Sequence, residues 1–424
     1  MPGSASAPSS GLWRYREFRK LWLGGLVSAV GSQVTALAVP LTAVLVFGAG
    51  PAETGLLTAA GFAPVLLFGL PAGAWIDRLR RRPVRIAADL GSALLVGAIP
   101  AAAVLGVLRL EHLYLLTFLA GTCAVMARLA VSALLPTLVG RGHLLEANSA
   151  LLTSFSLAQI LGPSLAGVLV QVVAPPLALL ADAASFLVSA ACFGALREPP
   201  APPRPTVRAN LLREIGEGLR WLRGDVVLFR LALSIGLANL AWYAVQAVVV
   251  PFATRDLALS PALLGLALAA AGPATLLGAL LAAPAARRFG LGPTMVAALS
   301  GEALSRILLL LAGGPPLVAA LTLALSQAVF GFIAPLWDVN ANSLRGAVTP
   351  ERLLGRVSAA SVVIGGGSAP VGALLGGWVG EIAGPRAALL GAALVTFVAV
   401  ACLLASPVPR VREALPRTEP ATVS

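Results

Sequence analysis

Along this chain, apolar runs of twenty or so residues alternate with short polar connections. Each run has the length of a bilayer-spanning α-helix, about 20 residues. Twelve can be marked, at 21–47, 54–76, 84–108, 113–138, 146–173, 177–196, 228–251, 261–283, 292–312, 316–337, 353–379 and 385–405. The strict alternation of a membrane β-barrel is absent. The pattern predicts an all-α integral membrane protein of twelve transmembrane helices.

One connection differs from the rest. After the sixth run, 197–210 reads REPPAPPRPTVRAN, a proline-rich linker. Asn210 is placed to cap a short helix with Leu212, Ile215, Leu219 and Leu222 on one face and Arg213, Glu217, Arg220 and Arg223 elsewhere. Such a helix either lies on the membrane surface between two halves or is a solvated connector. The expected division is 1–196, a six-helix half; 197–227, a cytoplasmic linker; and 228–424, a second half with a tail. The halves read as pseudo-repeats. Gly69 aligns with Gly278, and LLEANSA from Leu144 aligns with LLGRVSA from Leu353, both at an offset of 209 (278 − 69 and 353 − 144). A shared offset is expected of parallel duplicated halves. In that register Ala286 stands where the first half has Asp77.

Composition agrees with the membrane reading: 58% of the 424 residues are hydrophobic and 11% charged, against about 25% charged in soluble proteins. The net charge of +12 would fit a nucleic-acid binder were the cations on one face. They fall instead in alternate connections. Arg14, Arg16, Arg19, Lys20, the 78–85 cluster, Arg141, Arg197, Arg220, Arg223, Arg287, Arg288, Arg345 and Arg410 share one side, and only Arg109, Arg255 and Arg386 the other. By the positive-inside rule the first side, with both termini, is cytoplasmic. Arginine so far outnumbering lysine points to a G+C-rich bacterium and hence to its cytoplasmic membrane. The first run is too long for a cleavable signal peptide. Cys123, Cys192 and Cys402 sit in separate runs, and His112 and His143 lack companion ligands, so no metal or disulfide is expected. No phosphate-binding loop, cofactor motif or nucleic-acid partner is indicated. The expected partners are a small-molecule substrate and the bilayer, with the chain as a monomer.

The second and third runs are joined by GLPAGAWIDRLRRRPVR, Gly69–Arg85. Arginines alone would serve as a positive-inside anchor. With Gly73, Asp77, Arg78, Arg81 and Arg82 in place, the stretch resembles the G-x-x-x-D-R-x-G-R-R/K loop of the major facilitator superfamily, with Arg80 where the family has glycine. FRKLW near the start and ANS in the fifth run look most like its macrolide-efflux and enterobactin-exporter-like branch. The resemblance implies the twelve-helix fold of that superfamily, export of a drug, natural product or siderophore, alternating access and a proton gradient as energy source. It also implies that Asp77 latches onto the start of the eleventh helix near Leu354–Arg356, where a carboxylate meets a positive helix end. Gly162, Pro163 and Gly167 in the fifth run resemble the antiporter motif G-P-x-x-G-G, with Ala166 in place of one glycine. Gly365–Gly367, Pro370, Gly372, Gly376 and Gly377 form a looser counterpart in the eleventh run. Both read either as close packing or as a paired hinge and seal.

In that superfamily the first, fourth, seventh and tenth helices line a central cavity. The seventh run carries Asn239, Trp242, Tyr243 and Gln246 at i, i+3, i+4 and i+7, one helical face. The first adds Ser28, Ser32, Gln33 and Thr35, and the tenth Thr322, Ser326 and Gln327. Charges within a bilayer are costly and point to function. Arg128 either faces the cavity or reaches a partner on another helix. Glu302 and Arg306, at i and i+4, read as a structural ion pair. Asp182 and Asp338 are weaker candidates, Asp338 falling at the end of the tenth run. With no central carboxylate expected, the cavity is read as preferring a neutral or anionic amphipathic compound. Nutrient uptake and a membrane-embedded enzyme are the alternatives; the second would need clustered His, Asp or Cys near an interface, and the sequence offers none.

Overall fold

The computed structural model describes residues 12–76, 79–197, 211–350 and 353–412. Fourteen α-helices are described: α1 (Arg16–Phe47), α2 (Pro51–Ile76), α3 (Arg81–Val104), α4 (Leu110–Val139), α5 (Leu144–Val172), α6 (Pro175–Gly194), α7 (Leu211–Gly224), α8 (Val226–Pro251), α9 (Pro261–Ala269), α10 (Ala271–Phe289), α11 (Leu291–Leu310), α12 (Pro316–Val348), α13 (Leu354–Ala383) and α14 (Pro385–Leu404). A π-turn, Phe252–Asp256, prolongs α8. Omitting α7, and counting α9 with α10 as one span, twelve segments are long and apolar enough to cross a membrane. Short connections make them alternate in direction. One end of the bundle therefore carries the start of α1, the end of α14 and α7; it is called here the terminal face, and the other the distal face.

α1 packs on α5 and α6, α2 on α4, and α3 on α4 and α6; among the later spans α8 packs on α13 and α14, α10 on α12, and α11 on α12 and α14. The two groups meet chiefly where α2 lies against α13 and α5 against α9. Small residues make those approaches possible, because the backbones touch where a side chain would intervene. A Cβ on Gly55 of α2 would lie 2.9 Å from the Gly377 Cα of α13. One on Gly167 of α5 would lie 3.0 Å from the Gly265 Cα of α9.

Burial is unequal along the bundle. The largest apolar cluster joins both groups at the distal ends: Val34–Val44, Leu113, Val170 and Leu179 are continuous with Ala244–Ala253, Leu264, Ala319 and Ala373. Toward the terminal face the cores are separate. Phe18, Leu21, Leu134 and Phe193 form one in the first group, while Leu291, Met295, Leu344 and Leu403 form another in the second.

Hydrogen bonds follow the same division. Several between the groups lie at the distal face. Thr54 Oγ1 donates to the Ala247 carbonyl at 2.7 Å, and the Ala52 amide donates to Glu381 Oε2 at 3.2 Å. Arg255 donates to the Gly48 and Ala49 carbonyls at 2.6 and 2.8 Å, a cation on the carbonyl end of α1. Among the described residues the bundle is fastened at the distal face; the space between the groups on the terminal side is called the cleft.

The second half of α7 packs on protein, while Asn210 and the side chains of Leu212 and Ile215 lie outside what the structure describes. Leu222 is buried with Leu228, Ala232, Val357 and Ala360, and Leu219 packs against the same cluster. Asp225 caps α8 by accepting from the Val227 and Leu228 amides at 2.9 and 3.1 Å.

Candidate functional site

α8 is buried on nearly every side from Ala238 to Pro251, and its accessible positions there include Asn239, Trp242, Tyr243 and Gln246. The 3.6-residue repeat aims all four at the cleft. Two aromatic contacts frame them. Trp242 stacks on Phe330 of α12 with centroids 4.0 Å apart and planes at 8°, and Tyr243 meets Phe62 of α2 edge-on at 4.6 Å. Phe62 and Tyr243 come from opposite groups and cross the cleft. Arg128 of α4 is exposed, and its guanidinium lies within electrostatic range of the Tyr243 hydroxyl. Gln33 of α1 and Gln327 of α12 are half-buried.

α12 brings a correction. The tenth run was expected to end at residue 337, but the helix continues to Val348. Asp338 therefore lies ten residues, about 15 Å, inside its end rather than at it. It is exposed and shares a stripe with Gln327, eleven residues earlier, and Arg345, seven later, because each of these spacings returns an α-helix to within about 20° of its start. The exposed apolar residues Leu317, Leu321 and Leu325 lie roughly 100° around the helix on the bilayer side. Nearer the distal end the same stripe packs on α10, where Gly331 meets Ala271; at Asp338 it is exposed, and because a carboxylate in hydrocarbon is costly this terminal half is read as turned toward the cleft. The exposed Asp338 weighs against the reading of a cavity without a carboxylate.

A second set of polar residues is consumed by the fold. Ser28 and Ser326 are buried, and Ser326 donates to the Ser305 carbonyl at 2.7 Å. Thr35 donates to Asp182 Oδ2 at 2.5 Å, and Ser185 donates to Asp182 Oδ1 at 2.8 Å, tying α1 to α6. Thr322 bonds back to the Val318 carbonyl. Of the residues expected at the cavity, Thr35, Thr322 and Ser326 are spent on hydrogen bonds within and between helices; Thr35 and Thr322 are half-buried like Gln327, and Ser32 is exposed. Glu302 and Arg306 pair at 2.7 Å and are both buried, and Arg306 also reaches the Ala238 carbonyl at 3.4 Å. By contrast, the side chains of Gln33, Arg128, Asn239, Gln246, Gln327 and Asp338 form no hydrogen bond or ion pair among the described residues. With Ser32 and the Tyr243 hydroxyl, these six are polar groups left available to a guest.

The α3–α6 contact holds an ion pair that the sequence reading passed over. Arg85 Nε meets Asp89 Oδ2 at 2.9 Å, Ser189 donates to the same oxygen at 2.8 Å, and the guanidinium lies 4.6 Å from the Phe193 ring centroid. Its signal was the i, i+4 spacing, masked by the basic cluster around it. Arg82 donates to the Phe193 and Gly194 carbonyls and so caps the end of α6. Arg81 is half-buried at the start of α3, and Gly73 is in the last turns of α2. Asp77 and Arg78, with the contact expected of Asp77, lie outside the described residues.

In the antiporter-like motif, a Cβ on Gly162 would overlap Gln33 of α1, while Gly167 meets α9. Pro163 sits between them, half-buried within α5, its carbonyl crowding Gly265. In the counterpart, Gly372 and Gly376 lie against the backbone of α8 at Leu240 and Ala244, and Gly377 against α2. Among the described residues no group of three or more His, Cys, Asp or Glu side chains is placed to hold a metal.

The family model described as transmembrane secretion effector matches residues 6–421. The multidrug efflux pump Tap of Mycolicibacterium fortuitum is 31% identical over 381 residues, covering 87% of this chain and 90% of that protein. An uncharacterised MFS-type transporter, y4rN, of Sinorhizobium fredii is 28% identical over 366 residues, covering 85% and 87%. Two solved structures share the fold. The nucleoside transporter NupG superposes with a TM-score of 0.74 at 13% identity, covering 92% of this chain and 98% of that one. A bacterial homologue of the iron transporter ferroportin gives 0.72 at 18%, covering 93% and 99%.

Proposed function

The chain belongs to the major facilitator superfamily, in its transmembrane secretion effector family, and from that premise we propose that it exports a small amphipathic molecule from the cytoplasm by alternating access. The observation that carries this reading is the cleft's inventory. Four amides, one cation and one carboxylate without protein partners stand beside two aromatic pairs. Such a surface holds a largely apolar guest through ring contacts and a few hydrogen bonds. The likeness to a multidrug efflux pump and the Gly162–Pro163–Gly167 motif favour export over uptake.

The positive-inside rule assigns the terminal face to the cytoplasm. The cleft is then open inward and sealed outward, the state that loads a compound for export. The proposed drive is a proton gradient, with no organic cofactor or metal, and the monomer is the working unit in the bacterial cytoplasmic membrane. Transport into everted membrane vesicles tests this. An exporter fills the vesicle lumen with compound, and proton antiport dissipates an imposed inside-acid gradient as it does so. Release of preloaded compound would indicate uptake in the cell. Filling that ignores a protonophore would exclude proton coupling.

A further inference from the structure

Where α1 begins and α6 ends, on the terminal face and away from the cleft, a cavity of about 470 Å³ is lined by Arg16, Glu17, Arg19, Lys20, Leu23, Cys192 and Arg197. Four of these are cations, and the one acid is already engaged. Glu17 Oε1 accepts from Lys20 Nζ at 2.9 Å and Oε2 from the Arg197 amide at 2.8 Å. Lys20 also donates to the Ala195 carbonyl at 2.7 Å, which fixes the α1 wall to the end of α6. Arg16, Arg19 and the Arg197 guanidinium form no side-chain hydrogen bond or ion pair among the described residues. The pocket thus gathers four cations around one carboxylate, which lies within electrostatic range of both Lys20 and Arg197, over a floor that includes Leu23 and Cys192.

Its depth is marked by aromatic residues. Trp13 packs edge-on against Trp22 with centroids 5.1 Å apart, on the same turns of the chain as the pocket. Trp and Tyr collect at the headgroup level of a bilayer. Below the pocket, Leu23 of α1 and Val188 of α6, one turn from Cys192, are both exposed. Cations at headgroup depth above exposed aliphatic side chains match a phosphate ester joined to acyl chains. A freely soluble anion would use the cations and leave the apolar floor without a role.

We propose that this pocket binds an anionic phospholipid, with the phosphate among Arg16, Arg19 and Arg197 and an acyl chain running past Leu23 and Val188. It does not depend on the transported compound, since none of these residues lines the cleft.

The test uses the full-length protein and phosphatidylglycerol against phosphatidylcholine, read by native mass spectrometry and by quenching of tryptophan fluorescence with brominated lipids. The wild type should retain phosphatidylglycerol with at least about tenfold preference. Arg16→Gln, Arg19→Gln and Arg197→Gln together should abolish that preference while thermal unfolding in phosphatidylcholine nanodiscs is unchanged. Arg19→Gln alone, at an exposed position, should weaken it about fivefold, and Arg19→Lys should restore it. Millimolar inorganic phosphate should not displace the lipid. Equal retention of the two lipids, an undiminished preference in either glutamine variant, or displacement by phosphate would each overturn the proposal.

Discussion

Gly55 of α2 and Gly377 of α13 meet backbone to backbone across the distal end of the cleft, each placed so that a Cβ would lie 2.9 Å from the other's Cα. Gly265 and Gly167 repeat the contact between α9 and α5. Gly265 is 210 positions after Gly55 and Gly377 is 210 after Gly167 (265 − 55 and 377 − 167), one more than the 209 of the Gly69–Gly278 and Leu144–Leu353 alignment, so the two seals stand at near-equivalent places in the two halves. Closing this end therefore depends on four positions without side chains.

Gly377→Val is expected to disfavour the distally closed state. Overpacking costs about 1–3 kcal/mol, which shifts a two-state equilibrium by roughly 5- to 150-fold. Spin labels on the distal ends of α2 and α13 should report a longer mean distance, with transport falling in proportion. An unchanged distance distribution would remove the seal from the mechanism.

Much of this architecture is legible in the sequence, for physical reasons that also explain the misses. Bilayer-length apolar runs leave little freedom, so the spans and the α8 stripe follow from length and period. The end of the tenth run is a miss because hydropathy falls at Asp338, Asn340 and Asn342. Yet the helix continues, since Asp338 and Asn342 are exposed and the buried Asn340 donates back to the Leu336 carbonyl of its own helix. Thr35 and Asp182 are 147 positions apart, and nothing local announces that one will consume the other. The Gly55–Gly377 seal is equally silent, because glycine abounds in this chain and only the assembled bundle shows which copies touch.

The Glu302–Arg306 pair should be structural. Both side chains are buried, so Glu302→Gln or Arg306→Ala leaves one charge without its partner, a loss of roughly 3–5 kcal/mol. Thermal unfolding in detergent should show a clear decrease for each single variant. Neutralising both should recover much of it. Abolished transport with undiminished stability in Glu302→Gln would instead mark that residue as a proton carrier.

Asp338 and Arg128 should set the charge preference. Asp338→Asn is expected to weaken a cationic guest about 10- to 100-fold, the scale of a hydrogen bond to a charged group, and a neutral guest little. Arg128→Ala should do the same to an anionic guest. Binding titrations with one cationic, one anionic and one neutral aromatic compound decide this. Uniform losses across the three would mean that neither charge touches the ligand.

Trp242→Ala should weaken all three compounds by about tenfold, since stacking area is lost whatever the charge. The Phe330 ring loses its partner in the same variant, so Phe330→Leu should reproduce part of the effect. Full affinity in Trp242→Ala would place the guest elsewhere in the cleft.

The central claim is that this cleft carries compounds outward. It is tested most directly by accumulation of a fluorescent amphipathic compound in cells lacking their own efflux pumps. Cells expressing the wild type should hold less compound than cells with empty vector, and a proton uncoupler should abolish the difference. Expression of Gly377→Val should leave accumulation close to the vector level. Higher accumulation in wild-type cells than in vector controls would contradict the account and establish uptake.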